Sequence, residues 1–325
     1  MRVRIMSERG LMKMIDINFL GILCNVDSTI LKIDLEHDFT IEGIEEEKGM
    51  ELISQLENKS YNELFMDFFM KFNCFNRNER KIYVVKKIFK ADMKLNDEGL
   101  IVETGPETIE FHNELINKYL KNTFRLMRLY KEGDIRMPIS YLYFFHNGKI
   151  RKFQTMSTMM HISHIIYHIE DSEVKEIINM TRKTSLPFSH SYIQLAFENY
   201  EMSYQTFSRV LAFLSLMISL ELLYNIGMSE LRYRISRNAA VLLGNTDAES
   251  HEIFTRIKKL YEIRSKIVHA GKTDDIEQDH VFELRKYIRR SIIDMNYINK
   301  PKEDLLKLIN KLGYNDRPKL IRSCS

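Results

Sequence analysis

The spacing of apolar residues changes character along the chain. Before about residue 155, short apolar runs are broken by polar and turn-forming residues; after about residue 190 they recur at every third or fourth position. INFLGIL (17–23) and STILKIDL (28–35) are rich in branched residues and predict short strands. Residues 49–73 carry the spacing of one or two helices, and KIYVVKKIF (81–89) and GLIVET (99–104) predict strands again. Residues 106–131 set Ile109, Phe111, Leu115, Ile116, Tyr119, Leu120, Phe124 and Leu126 at helical intervals. In YLYFFHNGKIRKF, Asn147-Gly148 supplies the two positive-φ residues of a type I′ turn, which predicts a hairpin over residues 140–155. A helix follows Asp171 and ends near Lys183.

TSLPF (184–188) interrupts the pattern with polar residues and Pro187, and a domain boundary is expected there. Everything beyond it predicts helix. SYIQLAFENYEMS is one candidate, and residues 204–226 form a long apolar one closed by Gly227. Ser229 caps the next, which runs to Leu243 before Gly244. Thr246 and Glu249 have capping-box spacing and open a helix over 248–270 that Gly271 closes. Asp274 and Glu277 repeat the spacing before a helix over 276–298, and Pro301 starts a last short one ended by Gly313. Long helices on short connections imply an antiparallel bundle. The expected fold class is α+β, with a mixed α/β N-terminal domain over 1–186 and an all-α domain over 187–325.

Composition leaves this picture intact. A chain of 325 residues with 44% hydrophobic and 29% charged residues is globular, not disordered. The net charge of +3 is unevenly spread: residues 201–325 hold 21 Lys and Arg against 16 Asp and Glu. That permits an anionic partner for the second half without demanding one, since solvated helix faces account for it equally well. Cys24, Cys74 and Cys324 are odd in number and far apart, so no disulfide framework or metal spacing appears and a reducing cytoplasm is expected. The basic, then apolar start of the chain raises a signal peptide. Its apolar run is short, however, and no small-residue cleavage site follows. The run Val210–Leu220 is shorter than the roughly 20 residues a bilayer requires, so no membrane partner is expected.

LYEIRSKIVHAG (260–271) carries the chemistry. Arg264 and His269 stand five positions apart near a helix end, a rotation of about 140°, so a regular helix puts them on different faces. Loosening of the last turn before Gly271 would swing His269 toward Arg264. Taken alone, the pair also fits a surface arginine and a histidine favoured by the helix dipole. On the preceding helix, Arg232, Arg234 and Arg237 form a basic group in which Arg234 and Arg237 share a face. Arg285, Lys286, Arg289 and Arg290 form a second basic group, which solvated surface explains more simply. Glu221 interrupts an apolar helix and requires a polar partner, either an arginine of the site or a structural one. His161, His164 and His168 have zinc-ligand spacing on a helix but not on a strand; partly buried or surface histidines are the simpler reading.

Residues 190–298 resemble the HEPN superfamily (higher eukaryotes and prokaryotes nucleotide-binding), its ApeA-like branch in particular. The resemblance rests on IQLAFENYEMSY, FLSLMISLELLYN with Glu221, ELRYRISRNAAVLLG with Arg237, and LYEIRSKIVHAG in that order. It implies a helical bundle, commonly dimeric, in which Arg-x4-His is the catalytic pair of a metal-independent RNA endonuclease that needs no cofactor. Arg264 and His269 match it, with Ser265, Lys266, Arg234 and Arg237 on the RNA and Glu221 in support. Many active members have Asn, Asp or His after the arginine; here Ser265 stands there, a residue that can still donate or accept a hydrogen bond. The chemistry suits RNA, whose 2′-OH is its own nucleophile: histidine exchanges protons and arginine holds phosphate oxygens. The resemblance further implies a toxin-like effector in antiphage defence, with the N-terminal domain sensing a phage-derived or cellular trigger. The alternative is a non-catalytic module for nucleic-acid or nucleotide binding, or for dimerisation.

Overall fold

The computed structural model describes residues 12–64, 74, 78–105, 114–157, 165–227, 230–273, 276–317 and 320. The chain forms two compact units: residues 1–125 with 133–179, and residues 126–132 with 180–325. The division near Met180 falls just before the TSLPF interruption, and the short stretch Leu126–Glu132 belongs with the helices.

The first unit is built on an antiparallel sheet of β1 (Lys13–Cys24), β2 (Thr40–Glu45), β3 (Lys81–Leu95), β4 (Ile101–Thr104), β5 (Arg136–His146) and β6 (Lys149–Ser157). Their order is β2-β3-β1-β5-β6, with β4 beside the far end of β3. The central strand β1 is covered on both faces from Ile17 onward, so its sequence reads as a run and not as an alternation. On one face Leu20, Ile22, Ile82, Val84 and Tyr141 meet Met50, Ile53 and Leu56 of α1 (Glu46–Glu57). On the other, the Phe39 ring lies 5.7 Å from Phe19 and 5.8 Å from Tyr119, which sits in a π-helical turn. A short α2 (Tyr61–Leu64) follows α1, α3 (Lys121–Tyr130) continues the π turn, and α4 (Val174–Lys183) follows the sheet. The hairpin turns as expected, with Asn147 at φ 50° and Gly148 at φ 74°.

Two expectations for this unit are corrected. STILKIDL is not a strand: Ser28–Lys32 is a 3-10 turn. The Asp27 carboxylate accepts the Thr29 N–H at 3.0 Å and the Thr29 hydroxyl, and such local bonds compete with strand pairing. Cys24 and Cys74 are not unpaired but joined in a disulfide across 50 residues of sequence. Residues 65–73 and 106–113, where helix was expected, lie outside the described residues.

The second unit holds α5 (Ser191–Gln205), α6 (Arg209–Tyr224), α7 (Leu231–Leu243), α8 (Asp247–Ala270), α9 (Gln278–Ile298) and α10 (Lys302–Lys311). Helix α5 packs along α6, α7 along α8, and α9 against α5, α6 and α7. Phe197, Tyr200, Phe213, Leu216, Leu220, Leu284 and Ile288 form the centre of the core. The helix expected over 204–226 starts later, at Arg209: Tyr204 and Gln205 end α5, Thr206–Ser208 separate the two helices, and the Ser208 hydroxyl caps α6 by accepting the Leu211 N–H at 3.3 Å. Gly227 is not a cap either, because α6 ends at Tyr224. Thr246 caps α8 and Gly271 closes it in the left-handed region (φ 64°), as its sequence implies. Glu277 and His280 form the capping box of α9; Ser229 and Asp274, the other expected caps, lie outside the described residues.

The Arg285–Arg290 group is not solvated surface. Arg285 is buried and donates to Glu132 at 3.0 Å and to the Ser203 carbonyl at 2.7 Å. Arg289 binds the other Glu132 oxygen, and Arg290 grips the Leu243 carbonyl. Arg128 and Glu201 form a second buried pair alongside. Of the group, Lys286 is exposed. Among the described residues, no helix is long and apolar enough to cross a membrane.

Candidate functional site

Helix α8 owes its length to its ends and its stripe. Thr246 satisfies the Glu249 N–H at one terminus, and at the other the Gly271 N–H reaches the Ile267 carbonyl and the Lys272 N–H the Lys266 carbonyl. Between them Ile253, Ile257, Leu260, Ile263 and Ile267 face the core. This keeps the helix regular through Ala270, so the expected loosening of the last turn does not occur. Arg264 and His269 therefore remain about 140° apart around the axis and about 7.5 Å apart along it. Arg264 is partly exposed, and His269 is exposed with no hydrogen bond or ion pair among the described residues.

Arg264 faces α6. Its Nη2 lies 3.3 Å from Glu221 Oε1, which makes Glu221 the partner of a site arginine. The same oxygen accepts the Tyr261 hydroxyl at 3.0 Å. One turn before Arg264 on α8, the Tyr261 ring lies 5.6 Å from the guanidinium carbon, within range of a cation–π contact. Burial, then the hydrogen bond and charge of Glu221, push the Tyr261 hydroxyl up to about 12, so it remains a donor across the physiological range.

The other site candidates divide. Ser265 is half-buried beside Arg264, and Lys266 is exposed one position further. The Arg234 guanidinium lies against Gly227, where a Cβ would come within 2.7 Å of its Nη1. Arg237 is not available as an RNA contact. It donates to the Ile309 carbonyl at 3.0 Å and the Leu312 carbonyl at 2.5 Å, closing the C-terminal end of α10. Arg232, which was not singled out with the site, pairs with Glu262 at 2.8 Å and ties the start of α7 to α8. Tyr261 was also missed: in the sequence it reads as one more member of the apolar stripe, and its place one turn before Arg264 is the signal that would have found it.

Of the histidine cluster, His161 and His164 lie outside the described residues. His168 is in an extended segment and pairs with Asp27 at 2.7 Å. No group of three or more His, Cys, Asp or Glu among the described residues is arranged to hold a metal ion. No protein-family model, curated protein or solved structure matches the chain.

Proposed function

We propose that the helical unit is a HEPN-type domain and that the chain is a metal-independent RNA endonuclease. The observation that carries this reading is a partly exposed Arg264, held by Glu221 over Tyr261, on the same helix end as an exposed His269. In the reaction the RNA 2′-OH attacks the adjacent phosphorus and the 5′-oxygen leaves, giving a 2′,3′-cyclic phosphate and a 5′-hydroxyl. His269 exchanges protons with these oxygens, and Arg264 offsets the charge developing on the phosphate. Ser265, Lys266 and Arg234 are the RNA-facing residues in this reading; Arg237 is left out of it.

One copy points Arg264 and His269 to different sides, so the reading includes a homodimer through the helical unit. Arg264 of one copy then works with the histidine of the other. Leu211 and Ile218 are exposed on α6 at helical spacing with Glu221, an apolar surface suited to that pairing. A role as a toxin-like defence effector in the cytoplasm, with the sheet unit answering to a phage-derived or cellular trigger, rests on the resemblance of residues 190–298 alone. The separation of Arg264 and His269 within one chain favours a second reading, a binding or dimerisation module without catalysis. RNA cleavage in excess chelator separates the two. The nuclease cuts and His269→Ala does not; a binding module leaves RNA intact in both forms.

A further inference from the structure

Tyr261 is nearly enclosed, at 8% exposed, and phenylalanine would fill its place equally well, so its hydroxyl is the feature that asks for an explanation. That hydroxyl donates to Glu221 Oε1 at 3.0 Å, the oxygen that also faces Arg264 Nη2 at 3.3 Å. The ring of the same tyrosine lies 5.6 Å from the Arg264 guanidinium carbon. Tyr261 thus acts on Arg264 twice: directly through its ring, and indirectly by fixing the carboxylate that fixes the arginine. A guanidinium has five N–H donors in a rigid fork. Among the described residues Glu221 is the only charged group on it, so one edge is anchored and the rest of the fork is left for an anion.

We infer that Tyr261 is a positioning residue that sets the orientation in which Arg264 meets a substrate phosphate, acting jointly through its ring and through Glu221. The kinetic part of this inference rests on the ribonuclease reading. An arginine free to turn about its side-chain torsions would still attract RNA, but would seldom present two N–H groups to the phosphate as the leaving bond breaks. Loss of the Tyr261 hydroxyl should therefore act on turnover and not on affinity.

The test is Tyr261→Phe, alone and combined with Arg264→Ala. Turnover should fall about ten- to a hundredfold while KM stays within about twofold. Adding Tyr261→Phe to Arg264→Ala should cause no further fall, because the tyrosine works through the arginine. Wild-type turnover in Tyr261→Phe, or a further fall of equal size in the double variant, overturns the inference. If Tyr261→Phe does not fold, Glu221→Gln reads the same linkage from its other end and should show the same turnover loss and the same non-additivity. Exchange of the Arg264 Nη hydrogens, the group that faces Glu221, followed by NMR, supplies a readout independent of cleavage. The signal should be protected in the wild type and exchange faster in Tyr261→Phe; equal exchange overturns the inference. Should the wild type leave RNA intact, the nuclease reading fails by itself and the exchange comparison still decides the role of Tyr261.

Discussion

At the residue scale, charged side chains in the helical unit do two different jobs that the sequence does not separate. Arg264 and Arg285 look alike in a polar pattern, but one is partly exposed beside Glu221 and the other is enclosed with Glu132, Ser203 and Tyr204. The difference lies in what the rest of the chain brings to each. Glu132 is more than 150 residues before Arg285 in sequence, so no local spacing reveals their pairing. The same holds for Arg237, whose carbonyl partners come from the last helix. Glu221 was legible because a carboxylate inside an apolar helix requires a partner. The buried cluster makes a prediction. Glu132→Ala leaves Arg285 and Arg289 without their carboxylate, and removal of one member of a buried ion pair costs about 3–5 kcal/mol. Chemical denaturation should show a loss of that order, and a loss below about 1 kcal/mol, the range of surface pairs, would contradict the network.

At the element scale, most helices of the second unit were legible because their signals are local: an apolar stripe, a cap, a glycine stop. The misses have equally local causes. Ser208 caps α6 later than the apolar run alone suggested, and Asp27 folds STILK into a turn despite its branched residues. Helix α8 depends on Gly271, whose φ of 64° disfavours any residue with a Cβ although open space surrounds it. Gly271→Ala should therefore cost about 1 kcal/mol by conformation alone, read as a lower melting temperature; an unchanged midpoint would contradict the cap. Helix α9 is tied to α8 by Arg256, which donates to Glu283 at 2.6 Å, while Tyr287 donates to the same carboxylate at 2.9 Å. Burial alone would raise the Glu283 carboxyl, but these donors outweigh it and hold it below the ordinary carboxylate range. A carboxylate depressed in the folded state contributes stability above its unfolded value of about 4.3, and that stability is lost as pH falls through the folded one. Unfolding midpoints followed below about pH 4 should fall more steeply in the wild type than in Glu283→Gln; parallel curves would contradict the assignment.

At the scale of the whole molecule, the α+β architecture followed from the change in apolar spacing along the chain, and the hairpin from two residues. The disulfide did not, because nothing in the spacing of three scattered cysteines shows that the end of β1 meets Cys74. Closing a loop of this length stabilises a fold by about 4 kcal/mol in the chain-entropy account. Reductant, or Cys24→Ser, should lower the melting temperature, and alkylation before reduction should leave Cys24 and Cys74 unlabelled; free thiols at both would contradict the bond. Disulfides are uncommon in a reducing cytoplasm, so this labelling also bears on the proposed location. The central claim is that Arg264 and His269 cut RNA together without a metal, across two copies of the chain. Its most direct test is the cleavage rate of one RNA in excess EDTA by the wild type, by each variant, and by a mixture of the two. The wild type should cut with undiminished rate and leave 2′,3′-cyclic phosphate ends. His269→Ala should lose about 10²–10⁴-fold and Arg264→Ala about 10²–10³-fold. The mixture should recover part of the activity, because one site of each mixed dimer keeps both residues. Cleavage abolished by chelator, or undiminished in His269→Ala, would contradict the claim.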